Sequence, residues 1–114
     1  MDDARFADVT LAGERAHATV VPAHARALCA GHFPDDPLLP GASLLDLMAD
    51  VAARLLGVDD PPRAVRRCVF HARVYPSATI VVGARRVGDG VVEAEVIVDG
   101  ARAAQATLSF EPRA

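Results

Sequence analysis

Apolar and polar positions follow two different rhythms along this chain. From Glu14 to Val21 small apolar residues alternate with polar ones, a period of two that predicts a strand ending at Pro22. From Pro22 to Pro40 no period holds. Gly31, Pro34, Pro37 and Pro40 interrupt the stretch, which therefore reads as loop. The rhythm then changes. Leu44, Leu47, Met48, Val51 and Leu55 recur at helical spacing, and Leu45, Ala52 and Leu56 widen their face. This predicts a helix of about four turns that starts after Pro40-Gly41 and stops at Gly57, with Pro61-Pro62 preventing its resumption.

Beyond Pro62 the period returns to two. Strands are expected at Val65–Val74, Ala78–Val87, Val91–Val98 and Ala101–Phe110, with turns at Gly88-Asp89-Gly90 and Asp99-Gly100. The last hairpin has a register problem. A two-residue turn at Asp99-Gly100 would set Glu95 beside Ala104 and put the two apolar faces on opposite sides. A three-residue loop, Val98-Asp99-Gly100, pairs Ile97 with Ala101 and aligns the faces, so it is the preferred reading. The elements make an α+β chain in which one helix, too apolar to lie on a surface, is wrapped by an antiparallel sheet.

Composition narrows the possibilities. The 114 residues suit one domain spanning 1–114. Hydrophobic residues are 52%, but aromatics are only 4%, which excludes a stacking platform for single-stranded nucleic acid. Net charge is −3, so no global field attracts nucleic acid. No apolar run reaches membrane-spanning length, and Met1-Asp2-Asp3-Ala4-Arg5 lacks the pattern of a secretion signal. Cys29 and Cys68 are then expected to be reduced thiols in cytoplasm. Cys29-x-x-His32 has no second pair at zinc spacing, so neither a metal nor another cofactor is expected.

The segment that carries chemistry is Gly31-His32-Phe33-Pro34-Asp35-Asp36-Pro37-Leu38-Leu39-Pro40-Gly41-Ala42-Ser43-Leu44-Leu45-Asp46. Three prolines at spacing three stiffen a loop that bears a histidine. Asp46 follows that histidine by 14 residues, in the first turns of the apolar helix. Asp46 also has a structural alternative, because Ser43 to Asp46 has capping-box spacing. Asp50, one turn on, would add like-charge repulsion to Asp46, and it can pair with Arg54.

In His32, Phe33, Pro34, Pro37, Pro40, Gly41 and Asp46 the chain resembles the 3-hydroxyacyl-[acyl carrier protein] dehydratases of fatty-acid and polyene biosynthesis, in particular their short members. Asp35 and Asp50 depart from that family's pattern, as does Pro76-Ser77-Ala78. The resemblance implies a single hotdog, a long apolar central helix wrapped by an antiparallel sheet. It implies a lyase that removes water from a 3-hydroxyacyl thioester. His32 would be the base and Asp46 the acid. The Gly41 N–H would bind the thioester carbonyl. Phe33, Leu38, Leu39 and Pro40 would line the substrate. It also implies a homodimer, or a heterodimer, with His32 of one subunit meeting Asp46 of the other. The partner would be an acyl carrier protein with its phosphopantetheine-linked chain. Arg63, Arg66 and Arg67 are candidates to dock it, together with Arg73, Arg85 and Arg86. The alternative is a catalytically silent hotdog subunit that binds a carrier protein or completes a heterodimeric dehydratase. A hotdog thioesterase fits less well, since such enzymes do not need the proline-spaced histidine. His17, His24 and His71 read as structural or exposed.

Overall fold

A computed structural model describes residues 4–29 and 38–111. In chain order they form β1 (Phe6–Ala12), β2 (Arg15–Val20), α1 (Pro22–Leu28), α2 (Gly41–Leu56), β3 (Ala64–Phe70), β4 (Ile80–Gly88), β5 (Val91–Val98) and β6 (Ala101–Ser109). The strands make one antiparallel sheet in the order β1-β2-β4-β5-β6-β3. Helix α2 lies on one face of it. This is the expected α+β hotdog, with the long helix wrapped by the sheet.

The period of two explains which face meets the helix. Ala16, Ala18 and Val20 of β2, Ile80, Val82 and Ala84 of β4, Val92, Ala94 and Val96 of β5, and Ala104, Ala106 and Leu108 of β6 are all buried. The many alanines keep this face low, so the helix seats close to the strands. From α2 the buried residues are Leu44, Leu47, Met48, Val51 and Ala52, while Leu45, Leu55 and Leu56 are only partly covered. The helix stops where Gly57 takes a left-handed φ of 69°, and the Val58 N–H then donates to the Ala53 carbonyl at 3.0 Å.

Two elements depart from the expected pattern. Pro22 does not begin a loop; it opens α1, because proline fits the first helical position, where its missing N–H costs nothing. The described residues thus contain two helices where the sequence reading gives one. Strand β1 was not legible either. Only Phe6 of its seven residues is buried, so it has no apolar alternation of its own. It exists because the edge of β2 supplies hydrogen-bond partners, and Phe6 is held beneath the Arg54 guanidinium, 4.8 Å from its ring centroid.

The β5–β6 hairpin corrects the expected turn. Val98 pairs directly with Ala101, and Asp99 and Gly100 take φ of 52° and 82°, the two-residue turn set aside above. The faces nevertheless align. Ile97 pairs with Arg102 but Val96 with Ala104, so Ala103 is an extra residue that restores the register. Its carbonyl accepts the N–H groups of His71 and Ala72 at 2.8 and 3.2 Å. Strand β3 is correspondingly shorter than expected, ending at Phe70 rather than Val74.

Candidate active site

His32 and Phe33 lie outside the described residues. Of their segment, residues 38–46 are described. Leu39 is 2% exposed and belongs to the core, and its N–H donates to the Val74 carbonyl at 2.8 Å. That bond ties the loop to the chain that leaves β3. Leu38 and Pro40 are half-buried beside it.

Pro40 precedes α2, and its carbonyl accepts the N–H groups of Ser43 and Leu44 at 3.0 and 3.2 Å. The Gly41 and Ala42 amides, being in the first turn, have no helical acceptor and sit at the positive end of the helix dipole. They are ready donors to an oxygen that carries negative charge. Gly41 is a glycine for a packing reason too. A Cβ there would lie 3.1 Å from the Phe70 ring, closer than a side chain sits without displacing its neighbour. Phe70 therefore forms a wall of this helix start. It stands out in the sequence only as one of four Phe residues. Its contact with Gly41 needs the fold.

Asp46 is exposed, the sixth residue of the helix. The capping alternative is not realised. The helix begins at Gly41, no side chain caps it, and its first turn holds no acid. Among the described residues Asp46 has no ion pair. Asp50 differs. It is bonded by Arg54 Nε at 2.7 Å and pairs with Arg5 as well. The expectation that Asp50 repels Asp46 is therefore corrected, because its charge is matched by two guanidinium groups. Asp46 opens into a cleft of about 710 Å³ between the outward flank of α2 and the chain entering β3. Leu45, Ala49, Ala53, Val58 and Val65 form its apolar part, and Arg5, Asp50, Arg54, Asp59 and Asp60 its charged part.

The arginines divide into two sets. Arg63 pairs with Glu111 at 3.2 Å and Arg85 with Glu93 at 2.9 Å, while Arg86 lies 3.9 Å from Glu14. Arg66 and Arg67 are exposed on the edge strand β3 and have no carboxylate partner among the described residues. Arg66 is opposite Thr107, so it faces the solvent side of the sheet.

Cys29 is buried at the end of α1, and burial pushes its thiol above the ordinary thiol range. The neutral thiol is thus favoured in the folded state, a stabilisation lost as pH rises through the raised value. Cys68 is exposed. A thiol reagent at about pH 8 is expected to modify Cys68 and leave Cys29 intact until denaturant is added. Equal rates in the folded chain, read by mass spectrometry of peptides, would contradict this.

Comparison with known proteins places the chain. The family model ApeI-like, described as ApeI dehydratase, matches residues 9–104. The 3-hydroxyacyl-[acyl-carrier-protein] dehydratase FabZ of Lactococcus lactis subsp. cremoris is 37% identical over 93 residues, covering 70% of this chain and 63% of the relative. FabZ of Thermus thermophilus is 36% identical, covering 70% and 65%. The chain thus spans just under two thirds of the length of these curated relatives. Among solved structures, the dehydratase heterocomplex ApeI:P from Xenorhabdus doucetiae matches with a TM-score of 0.78 at 18% identity, covering 95% of this chain and 97% of the other. An uncharacterised protein from Erwinia carotovora subsp. atroseptica matches with a TM-score of 0.68 at 20% identity, covering 94% and 92%.

Proposed function

The chain belongs to the ApeI-like dehydratase family, and on that premise we propose that it dehydrates a 3-hydroxyacyl thioester, carried on an acyl carrier protein, to a trans-2-enoyl thioester. Fatty-acid, polyketide or polyene synthesis would use such a step. The observation that carries the reading is Asp46. It is an exposed carboxylate with no cap to make and no ion pair among the described residues, on a cleft with both apolar and charged walls.

The reaction requires a base at C2, a donor to the thioester oxygen and an acid at C3. His32 takes the C2 proton. The Gly41 N–H donates to the oxygen as enolate character develops. Asp46 gives its proton to the C3 hydroxyl, which leaves as water while the C2=C3 double bond forms. Proton return from His32 to Asp46 through solvent restores the starting state. Phe33, Leu38 and Pro40 would line the acyl chain, with Phe70 beside Gly41.

A second subunit completes this arrangement. Val65 and Phe70 are on the helix-facing side of β3 but extend past α2, and they remain 40% and 48% exposed. β3 is also a sheet edge, with unpaired backbone groups on its outer side. A subunit that pairs with this edge would cover both residues, and it would close over the cleft that Val65 shares with Asp46. The second chain would be a copy of this one or a related chain, as in the ApeI:P heterocomplex. Exposed Arg66 and Arg67, with Arg63, would meet the acidic surface of a carrier protein.

The test is direct. The purified chain is incubated with 3-hydroxyacyl substrate on carrier protein, and separately on coenzyme A, and the product is read by mass spectrometry. Loss of one water is expected, faster from the carrier. No turnover of either substrate by a chain shown to be dimeric would favour the silent-subunit reading.

A further inference from the structure

The solvent face of the sheet, opposite α2, carries a groove of about 480 Å³ that shares only Arg67 with the carrier-facing edge proposed above. Strand register builds one end of it. Across the β2–β4 ladder Arg15 is opposite Arg85, and His17 is opposite Gly83. Residues two apart on a strand share a face, so these four form one two-by-two block. Three of its corners are basic side chains and the fourth has no side chain. Glu93 and Glu95 of β5 border the block on the far side of β4.

Two features of this block do not follow from the fold. The first is a guanidinium directly opposite another, which destabilises a sheet unless something neutralises it. Glu93 relieves Arg85 at 2.9 Å, and Glu95 lies 3.5 Å from Arg102. Arg15 has no carboxylate partner among the described residues. The second is Gly83. It is buried in a strand with strands on both sides, where glycine weakens pairing. Its φ is not left-handed, and a Cβ would lie 3.4 Å from His17 Cδ2 and 3.5 Å from Glu95 Cγ, both ordinary contacts. The backbone therefore has no need of a glycine here. His17 and Glu95 already lie within contact distance of that position, so a larger side chain would crowd both and fill the floor of the groove between the arginines.

We propose that Arg15, His17 and Arg85, above the floor left by Gly83, bind the phosphate group of a small organic molecule. The Arg15 fork and the Arg85 N–H groups other than those of the Nη2 held by Glu93 match the oxygens of a phosphate, and the imidazole adds a donor. The groove runs on across β5 and β6 past Gln105 and Thr107 to Arg67. That length exceeds a phosphate and falls in the range of small-molecule sites, so the organic body lies along Gln105 and Thr107. Arg67 lines the far end, on a backbone held at a φ of 53°. That conformation belongs to the bulge between Arg66 and Val69, which places Arg67 on the groove. Charge selects the occupant: the chain as a whole is at −3, yet this groove is lined by four arginines against two glutamates. The site is on the other side of the sheet from Asp46, so occupancy does not depend on the dehydration proposed above.

Nuclear magnetic resonance titration of the isotope-labelled full chain tests this, with inorganic phosphate in one series and adenosine monophosphate in another at constant ionic strength. Saturable shifts at the Arg15, His17 and Gly83 amides are expected, absent with chloride, and at least about tenfold tighter for the nucleotide. Gly83→Val fills the floor and Arg15→Gln removes a fork. Each is expected to weaken binding by about tenfold or more while leaving dehydration unchanged. Thermal melts establish that both variants fold, and Arg15→Gln carries the test if Gly83→Val does not. Shifts that never saturate, or folded variants that bind as the wild type does, would overturn the proposal. Equal affinity for phosphate and nucleotide would overturn its organic part.

Discussion

Asp46→Asn and His32→Ala are each expected to lower dehydration by on the order of 10²–10⁴-fold, the span that one positioned acid or base contributes. The fold is expected to survive both changes. Asp46 is exposed and makes no cap, so its amide replaces nothing structural. Mixing the two inactive chains then separates a shared site from a self-contained one. In a mixed dimer one site carries both lesions and the other carries none, so random assortment restores about a quarter of the wild-type sites. Recovery after subunit exchange is the expected result. No recovery, with exchange demonstrated by native mass spectrometry, means that His32 and Asp46 act within one chain. Full activity in either single variant removes that residue from the mechanism.

Met48→Ala is expected to have the largest effect on stability. Met48 is fully buried between α2 and the sheet, the largest side chain in the core at below 2% exposure. Its neighbours on the sheet face are mostly alanines and valines, which cannot extend into a void. The cost is expected at about 2–5 kcal/mol, from lost transfer energy plus the cavity left behind. For a chain of this size that lowers Tm by roughly 8 °C or more. Leu11→Ala is the control. Leu11 is 57% exposed on β1, and its truncation is expected to move stability by less than about 0.5 kcal/mol. Calorimetry of the two variants compares them directly; similar melting points would mean that the core around Met48 collapses without penalty.

The candidate residues His32, Gly41 and Asp46 can be named from the sequence because the motif is local, with positions tied to one another by chain spacing. The walls of the site were not legible. Phe70 meets Gly41 from a strand 29 residues away in sequence, and no local pattern marks that contact. The charge around Asp46 is not legible for the same reason. Helical spacing makes Asp50 a repelling neighbour, but Arg5 arrives from the start of the chain to pair with it.

The sequence by itself determined the central helix, its apolar face and its glycine stop, because the period of 3.6 and the αL preference of Gly57 are properties of neighbouring residues. It determined five of the six strands among the described residues, β2 to β6, in the same way, by alternation. Tertiary structure alone decided the rest. β1 forms because β2 offers an edge, although β1 buries only Phe6. The Asp99-Gly100 turn keeps its preferred two residues because a bulge at Ala103 restores the register, and such a bulge costs little where the extra carbonyl finds the His71 and Ala72 amides. The block of Arg15, His17, Gly83 and Arg85 likewise exists only through pairing between strands. Chain-local preferences are fixed by each residue and its near neighbours, whereas edges, bulges and cross-strand blocks are settled by which backbone groups would otherwise be left without partners.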